Sequence, residues 1–363
     1  MPADRPGHSD RTRRTMHQGL SLASIRSRIC LFFWLCLAAL PASAQAAPGM
    51  PGMLEADSTP AREIMGLSHF VLLITGSIFA VVGGLLVYVI IRFRAREADA
   101  EHEPAQVYGS VQVELAWTVI PVLIVVVLFL TTARIIFAIQ DAPEPASALD
   151  VTVIGHQFWW EFRYPKLGIV TANELHVPVG TPGKPFPTYL ELLSADVDHS
   201  FWVPQLGGKT DLIPNHPNKM WIDPEKPGVY LGQCAQFCGV EHAKMLLRVY
   251  ADTPEQFEAW VKNEQRPGAQ DQAVEAGRHV FETQACMNCH TISGTAAKGT
   301  FGPDLTHMMS RATIAAGAAD NTPENLNAWI KNPNDFKPGA LMPVMQLSDE
   351  QVNELVAYLS TLH

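Results

Sequence analysis

Two short stretches of this chain gather residue types that bind metals or form covalent bonds. The first is Cys234-Ala-Gln-Phe-Cys238-Gly-Val-Glu-His242-Ala-Lys-Met245, which holds two thiols, an imidazole and a thioether within twelve residues; His199 adds a second imidazole from an earlier segment. The donor set is soft. A mononuclear blue copper site uses one Cys, two His and a weak axial Met, whereas a second Cys permits two coppers bridged by both sulfurs, each with its own His. Such a bridge shares one electron between the metals and suits electron transfer. The competing readings are a zinc site, a disulfide and plain core packing of Met245. Zinc has no use for Met245, and its usual ligand order differs because His199 precedes the cysteines. A Cys234–Cys238 disulfide, the default for paired cysteines in an exported protein, would leave both histidines without a role.

The second stretch is Cys286-Met-Asn-Cys289-His290. In a C-x-x-C-H sequence two thiols attach a haem covalently, and the adjacent His ligates its iron. A thioredoxin-type redox disulfide would need a βαβ context that the surrounding residues lack. The iron then needs a sixth ligand, for which Met308, Met309, Met342 and Met345 are the candidates; His/Met ligation raises the potential, as an electron carrier requires. The six cysteines divide into these two pairs plus Cys30 and Cys36 near the N-terminus, so none remains for an unrelated disulfide.

The elements that position these groups can be read in order. Residues 1–44 carry six arginines, then the apolar run Ile29 to Leu40, then Ala42-Ser43-Ala44, the order of a secretory signal with an A-x-A cleavage site. Ser68 to Ile91 is a nearly unbroken apolar run of 24 residues. As a helix it reaches roughly 36 Å and can cross a hydrocarbon core of about 30 Å. Trp117 to Ile139 is a second such run, and Arg92, Arg94 and Arg96 between the two place the connecting loop on the cytoplasmic side. From Leu149 to Tyr250 the helical period gives way to β-rich runs (Asp150–Ile154, Thr188–Leu193, Lys244–Tyr250) separated by Pro/Gly turns, which predicts a sandwich or barrel. Thr253 and Pro254 open a short helix, and Gln265 to Gln272 is a polar linker. In the last part, Ser348-Asp349-Glu350-Gln351 is a capping box for a closing helix that buries Val352, Leu355, Val356 and Leu359. The predicted organisation is a signal peptide (1–44), an N-terminal segment with a transmembrane hairpin (45–148; spans 68–91 and 117–139), an all-β domain (149–252), a short helix and linker (253–272) and a helical domain (273–363). The formal charge is −10 and becomes more negative once the arginine-rich signal is removed, which argues against a nucleic-acid partner and favours a basic protein partner.

Between about residues 68 and 260 the chain resembles subunit II of cytochrome c oxidases, through Asp196-Val-Asp-His199-Ser-Phe-Trp-Val-Pro204, Lys209-Thr-Asp211 and Gly232-Gln-Cys234. The resemblance implies a cupredoxin-like domain whose binuclear CuA ligands are His199, Cys234, Cys238, His242, Met245 and the carbonyl of Gln236. At position 236 the family more often has Glu, whose carboxylate also reaches a magnesium ion; Gln236 keeps the carbonyl but not the negative ligand. In Gly155-His-Gln-Phe158-Trp-Trp-Glu161 the first aromatic is usually Trp, where electrons arrive from soluble cytochrome c. Here it is Phe158, and the cluster Phe158, Trp159 and Trp160 reads either as packing or as an electron relay. Glu114, in Glu114-Leu-Ala-Trp117-Thr-Val-Ile-Pro121, is implied to lie at the mouth of a proton path continuing through subunit I.

Residues 273–363 resemble class I cytochromes c, through the helix with Gly277 and Phe281, the turn Gly302-Pro303-Asp304-Leu305 and the closing helix. By that likeness Met342, next to Pro343, is the sixth iron ligand, and the Pro303 region supports the far nitrogen of His290. The expected fold class is a multidomain membrane protein with a two-helix transmembrane hairpin, a cupredoxin-like all-β domain and an all-α class I cytochrome c domain. The expected function is that of subunit II of a proton-pumping cytochrome c oxidase, located in the bacterial inner membrane with both redox domains on the periplasmic side. Subunits I and III and a cytochrome c or similar donor are its expected partners, and oxygen chemistry is expected in subunit I rather than in any residue of this chain. The alternative is the CuA subunit of a nitric oxide reductase.

Overall fold

Two runs of apolar side chains with almost no charge favour helices whose backbone is satisfied internally. In the computed structural model they are α1 (Thr59–Arg92) and α2 (Val111–Gln140), of 34 and 30 residues, with large apolar side chains such as Leu72, Phe79 and Phe129 facing outward along them. Both are long and apolar enough to cross a membrane. The structure describes residues 52, 55–94, 106, 108–142, 144–146, 148–180, 184–269 and 271–363. The expected signal segment 1–44, with Cys30 and Cys36, lies outside the described residues, as does Arg96.

The hairpin is tied to the domain that follows. Ser58 caps α1, and the Thr59 backbone and hydroxyl both donate to Asp223 (2.7 and 2.6 Å). At the end of α2 the Ile139 carbonyl accepts from Trp221 Nε1 at 2.8 Å.

Alternating β-branched and aromatic residues then build two five-stranded sheets. The strands are β1 (Leu149–His156), β2 (Trp159–Tyr164), β3 (Ile169–Ala172), β4 (Glu174–Pro178), β5 (Thr188–Ser194), β6 (His199–Trp202), β7 (Thr210–Leu212), β8 (Asn218–Ile222), β9 (Gly228–Cys234) and β10 (Leu246–Asp252). One sheet has the order β3-β2-β1-β5-β8 and the other β4-β10-β9-β6-β7. The pairs β1/β5 and β10/β4 are parallel, while the other pairs are antiparallel. Inward residues of both sheets, among them Val153, Trp160, Phe162, Leu192, Leu175, Phe201 and Val249, form one buried core. Helix α3 (Pro254–Glu264) starts with a capping box between Thr253 and Gln256, and its Trp260 stacks on His176 with ring centres 4.6 Å apart.

The last part contains α4 (Glu275–Thr283), a helical turn at Cys286–Cys289, a small hairpin of β11 (Thr313–Ile314) and β12 (Ala319–Asp320), α5 (Pro323–Lys331) and α6 (Asp349–Leu359). This hairpin and an isolated bridge between Thr291 and Lys298 are β features in a domain expected to be all-α. Ser348 and Gln351 cap α6 reciprocally (3.2 and 3.0 Å), and Val352, Leu355, Val356 and Leu359 are all buried. Helices α4 and α6 cross at Gly277, where a Cβ would stand 2.0 Å from the Glu354 carbonyl oxygen, so only glycine permits the approach.

The β domain and the helical domain meet over a polar seam. Glu174, 2% exposed, accepts from the Ala312 and Thr313 amides (3.0 and 2.9 Å) and from the Thr313 hydroxyl (2.9 Å), while Arg248 donates to that hydroxyl. The Leu246 amide donates to the Ala316 carbonyl at 3.1 Å, and Lys244 Nζ donates to the Phe336 carbonyl.

Candidate metal centres

Strand ends and loops bring the soft donors together at one end of the β sandwich. His199 starts β6, Cys234 ends β9, and Cys238, His242 and Met245 follow on the connection to β10. The two sulfurs lie 3.9 Å apart, far beyond a disulfide bond, and both thiols are free. Each sulfur has its own imidazole: Cys234 Sγ is 3.9 Å from His199 Nδ1, and Cys238 Sγ is 3.7 Å from His242 Nδ1. At either flank stands a weaker donor, the Gln236 carbonyl oxygen 3.2 Å from Cys234 Sγ and Met245 Sδ 3.8 Å from Cys238 Sγ. Six donors, four of them around two central sulfurs, fit a pair of metal ions better than one zinc, whose tetrahedral site closes with four ligands.

Several neighbours hold this set in place. Asp196 Oδ1 lies 2.7 Å from His199 Nε2, which turns Nδ1 toward the sulfurs, and the carboxylate is kept acidic: burial acts upward, but bonds from His199 and from the Gln157 and Val197 amides outweigh it. Gly155 in β1 lies under the His199 ring, and a Cβ there would come within 2.8 Å of it. Trp160, fully buried, donates from Nε1 to the Met245 carbonyl at 3.4 Å and meets the His199 ring edge-on at 6.1 Å. Cys234 is drawn well below the ordinary thiol range, chiefly by its bond with Cys238, whereas Cys238 is pushed up by the same contact. One thiolate therefore forms readily, and cationic metal is what would strip the second proton.

In the helical domain, Cys286, Cys289, His290, Met308, Met342 and Met345 all line one cavity of about 380 Å³ whose walls are mostly apolar. Met309 is not among its lining residues. His290 Nδ1 donates to the Pro303 carbonyl at 2.8 Å, which leaves Nε2 as a lone-pair donor, and burial pushes its pKa down so that the ring stays neutral. Two free thiols, a neutral oriented imidazole and thioethers around an apolar cavity fit a covalently attached haem.

The cavity also reaches the β domain, since Gln157, Phe158 and Trp159 form part of its wall. The three aromatics of the sequence cluster therefore differ in position. Phe158 and Trp159 face the cavity, Trp159 also stacking on His156 at 4.2 Å, whereas Trp160 packs beneath the sulfur ligands. Gln157 Nε2 donates to the Cys238 carbonyl at 2.6 Å, so one short segment touches both sites. Glu114 is exposed in the first turn of α2, away from either site in the chain, and the Gln236 side chain is exposed. Sequence reasoning gave no role to Asp196, Gln157, Glu174 or Lys337. Only Asp196, three residues before His199, carried a local signal.

Residues 46–135 match the family model of the cytochrome c oxidase subunit II transmembrane domain, residues 169–251 that of its periplasmic domain, and residues 274–363 that of cytochrome c. The chain is 36% identical over 289 residues to cytochrome c oxidase subunit 2 of Alkalihalophilus pseudofirmus, covering 78% of this chain and 82% of that one. It is 32% identical over 295 residues to the Bacillus subtilis protein of the same name, covering 76% and 81%. The solved periplasmic domain of subunit II of cytochrome oxidase from Bradyrhizobium japonicum aligns with a TM-score of 0.31 at 28% identity, over 33% of this chain and 96% of that one. Two membrane-capable helices, a β domain with the soft donor set and a cytochrome c domain follow one another in the order of these matches, and the chain belongs to the cytochrome c oxidase subunit II family, in the form with a fused cytochrome c domain.

Proposed function

We propose that this chain is the electron-accepting subunit of a proton-pumping cytochrome c oxidase, taking electrons from a cytochrome c or similar donor at a covalent haem c and passing them through binuclear CuA to haem in subunit I, where oxygen is reduced to water. The observation that carries the reading is the shared wall: the segment Gln157–Phe158 lines the haem-sized cavity and bonds to the carbonyl of the sulfur ligand Cys238. Both groups, when bound, supply reversible one-electron chemistry. The residues do the rest. Cys234, Cys238, His199 and His242 would hold the binuclear copper, with Met245 and the Gln236 carbonyl completing the set. Cys286 and Cys289 would tether the haem, and His290 and Met342 would bind its iron. Phe158, with Trp159, keeps water out of the gap between the sites and serves as the relay, while Trp160 buttresses the copper ligands. Gln236 leaves the magnesium site without its family carboxylate.

The hairpin anchors the chain in the bacterial inner membrane with the two redox domains in the periplasm, against subunits I and III. Glu114 there marks the cytoplasmic mouth of the proton path. Optical and EPR spectra of the purified membrane complex, with oxygen uptake driven by reduced cytochrome c, test the reading together. A covalent c-type spectrum, mixed-valence dicopper hyperfine structure and oxygen uptake are expected. Nitric oxide turnover without oxygen turnover would assign the subunit to a reductase instead.

A further inference from the structure

Lys337 has no part in either ligand set, yet it is 4% exposed. It lies in the turn that follows α5, five residues before Met342 in the chain, with its backbone fixed by Lys337 N–H to Pro333 O and Ala340 N–H to Lys337 O, both 2.9 Å. Its side chain lines the haem-sized cavity and crosses the domain seam, where Nζ donates to the Phe158 carbonyl at 2.8 Å. A buried ammonium is costly unless bonded and charge-compensated. The compensation comes from the copper side, where Glu241 faces it favourably and Lys244 opposes it. Burial, the largest influence, draws the amine down to about 8, so at neutral pH the charge persists. An apolar side chain would fill this place at lower cost if packing were its only duty.

We infer that Lys337 is a positioning residue for electron transfer: it clamps the Phe158 backbone against the haem crevice, and its buried charge raises the potential of the haem beside it. The inference rests on the assignment of haem c and CuA above. A fixed cation favours the less positive, reduced state of a nearby iron, and the low-polarity surroundings transmit that field more strongly than water would. The same ammonium holds the relay residue from the opposite domain, so one side chain governs both the contact and the driving force.

The test uses the complete oxidase complex carrying Lys337→Met, which keeps most of the stem and removes the charge, with Lys337→Gln as a second uncharged variant should the first not assemble. Haem c and CuA spectra should persist. The haem c midpoint in an optical redox titration should move to lower potential, and haem-to-copper transfer after flash reduction should not gain the rate that the larger driving force alone would give, because the clamp on Phe158 is lost. Lys337→Arg should return the midpoint toward the wild-type value. A wild-type midpoint in the uncharged variants, or transfer accelerated in step with the larger driving force, would overturn the inference alone. Absence of either centre from the wild-type spectra would overturn the underlying assignment, and the inference with it.

Discussion

Replacing Glu174 with Ala should detach the cytochrome c domain from the β domain while leaving both folded. Its carboxylate, buried at the seam, takes three bonds from the facing hairpin at 2.9 to 3.0 Å. A hydrogen bond to a charged group contributes about 1.5–3 kcal/mol. Three donors share one carboxylate here, and water reaches the freed amides once the seam opens. The combined loss is therefore nearer to about 3 kcal/mol than to three full bonds, which is roughly a 150-fold shift toward the open arrangement. The reporter should not touch Glu174 itself. The Leu246 amide qualifies, because it donates to Ala316 across the same seam at 3.1 Å. Hydrogen exchange on the intact complex should therefore accelerate at Leu246 by up to about 150-fold, with Leu190 in the core of the sandwich unchanged. If Leu246 exchanged at the wild-type rate in the Ala variant, the seam would not open as one unit and Glu174 would not be its latch.

Three further outcomes are expected. Changing Cys286 and Cys289 together to Ala should abolish covalent haem and leave the dicopper EPR signal, since no copper donor belongs to the helical domain; loss of copper from a folded, membrane-inserted variant would contradict separate sites. Asp196→Asn should weaken copper retention by about 10–100-fold by releasing the His199 ring, and metal analysis after dialysis against a chelator would show full retention if Asp196 were incidental. Glu161 is buried, and although desolvation pushes its carboxyl upward, the bonds and charges of His156 and Arg163 bring it below its ordinary value. A lowered folded pKa means stabilisation that is present above the ordinary value and lost as pH falls through the folded one. Glu161→Gln should therefore cost about 1–3 kcal/mol at pH 7, with the gap closing as pH falls below the ordinary carboxyl value and on through the folded one, as a series of urea denaturations from pH 7 down into that acid range would measure; a gap that stayed constant across the series would refute the linkage.

Local chemistry was legible in the sequence because it depends on near neighbours. C-x-x-C-H sets two thiols and an imidazole within one helical turn, and the spacing from Cys234 to Met245 leaves four donors on one connection between strands. Apolar runs without charge read as membrane helices, and the N-cap of Thr253 and the capping box of Ser348 formed as their residue types require. His199 was offered by residue type alone, but its approach to Cys234 depends on β6 pairing with β9, which no local spacing encodes.

The chain by itself thus determined the kinds of donor, the membrane spans and the order of the domains, all of which follow from side-chain chemistry and short periods. Tertiary structure decided how the two sites face each other. Glu174 meets Thr313 across 139 positions, and Lys337 meets Phe158 across 179. No local pattern encodes such contacts, since each requires two independently folded surfaces to bury a charge and its partner at the same place. That fit also decided what Phe158 does: in sequence it was one aromatic of three, and in the fold it is the residue that the sulfur-ligand loop, the haem crevice and a buried lysine share.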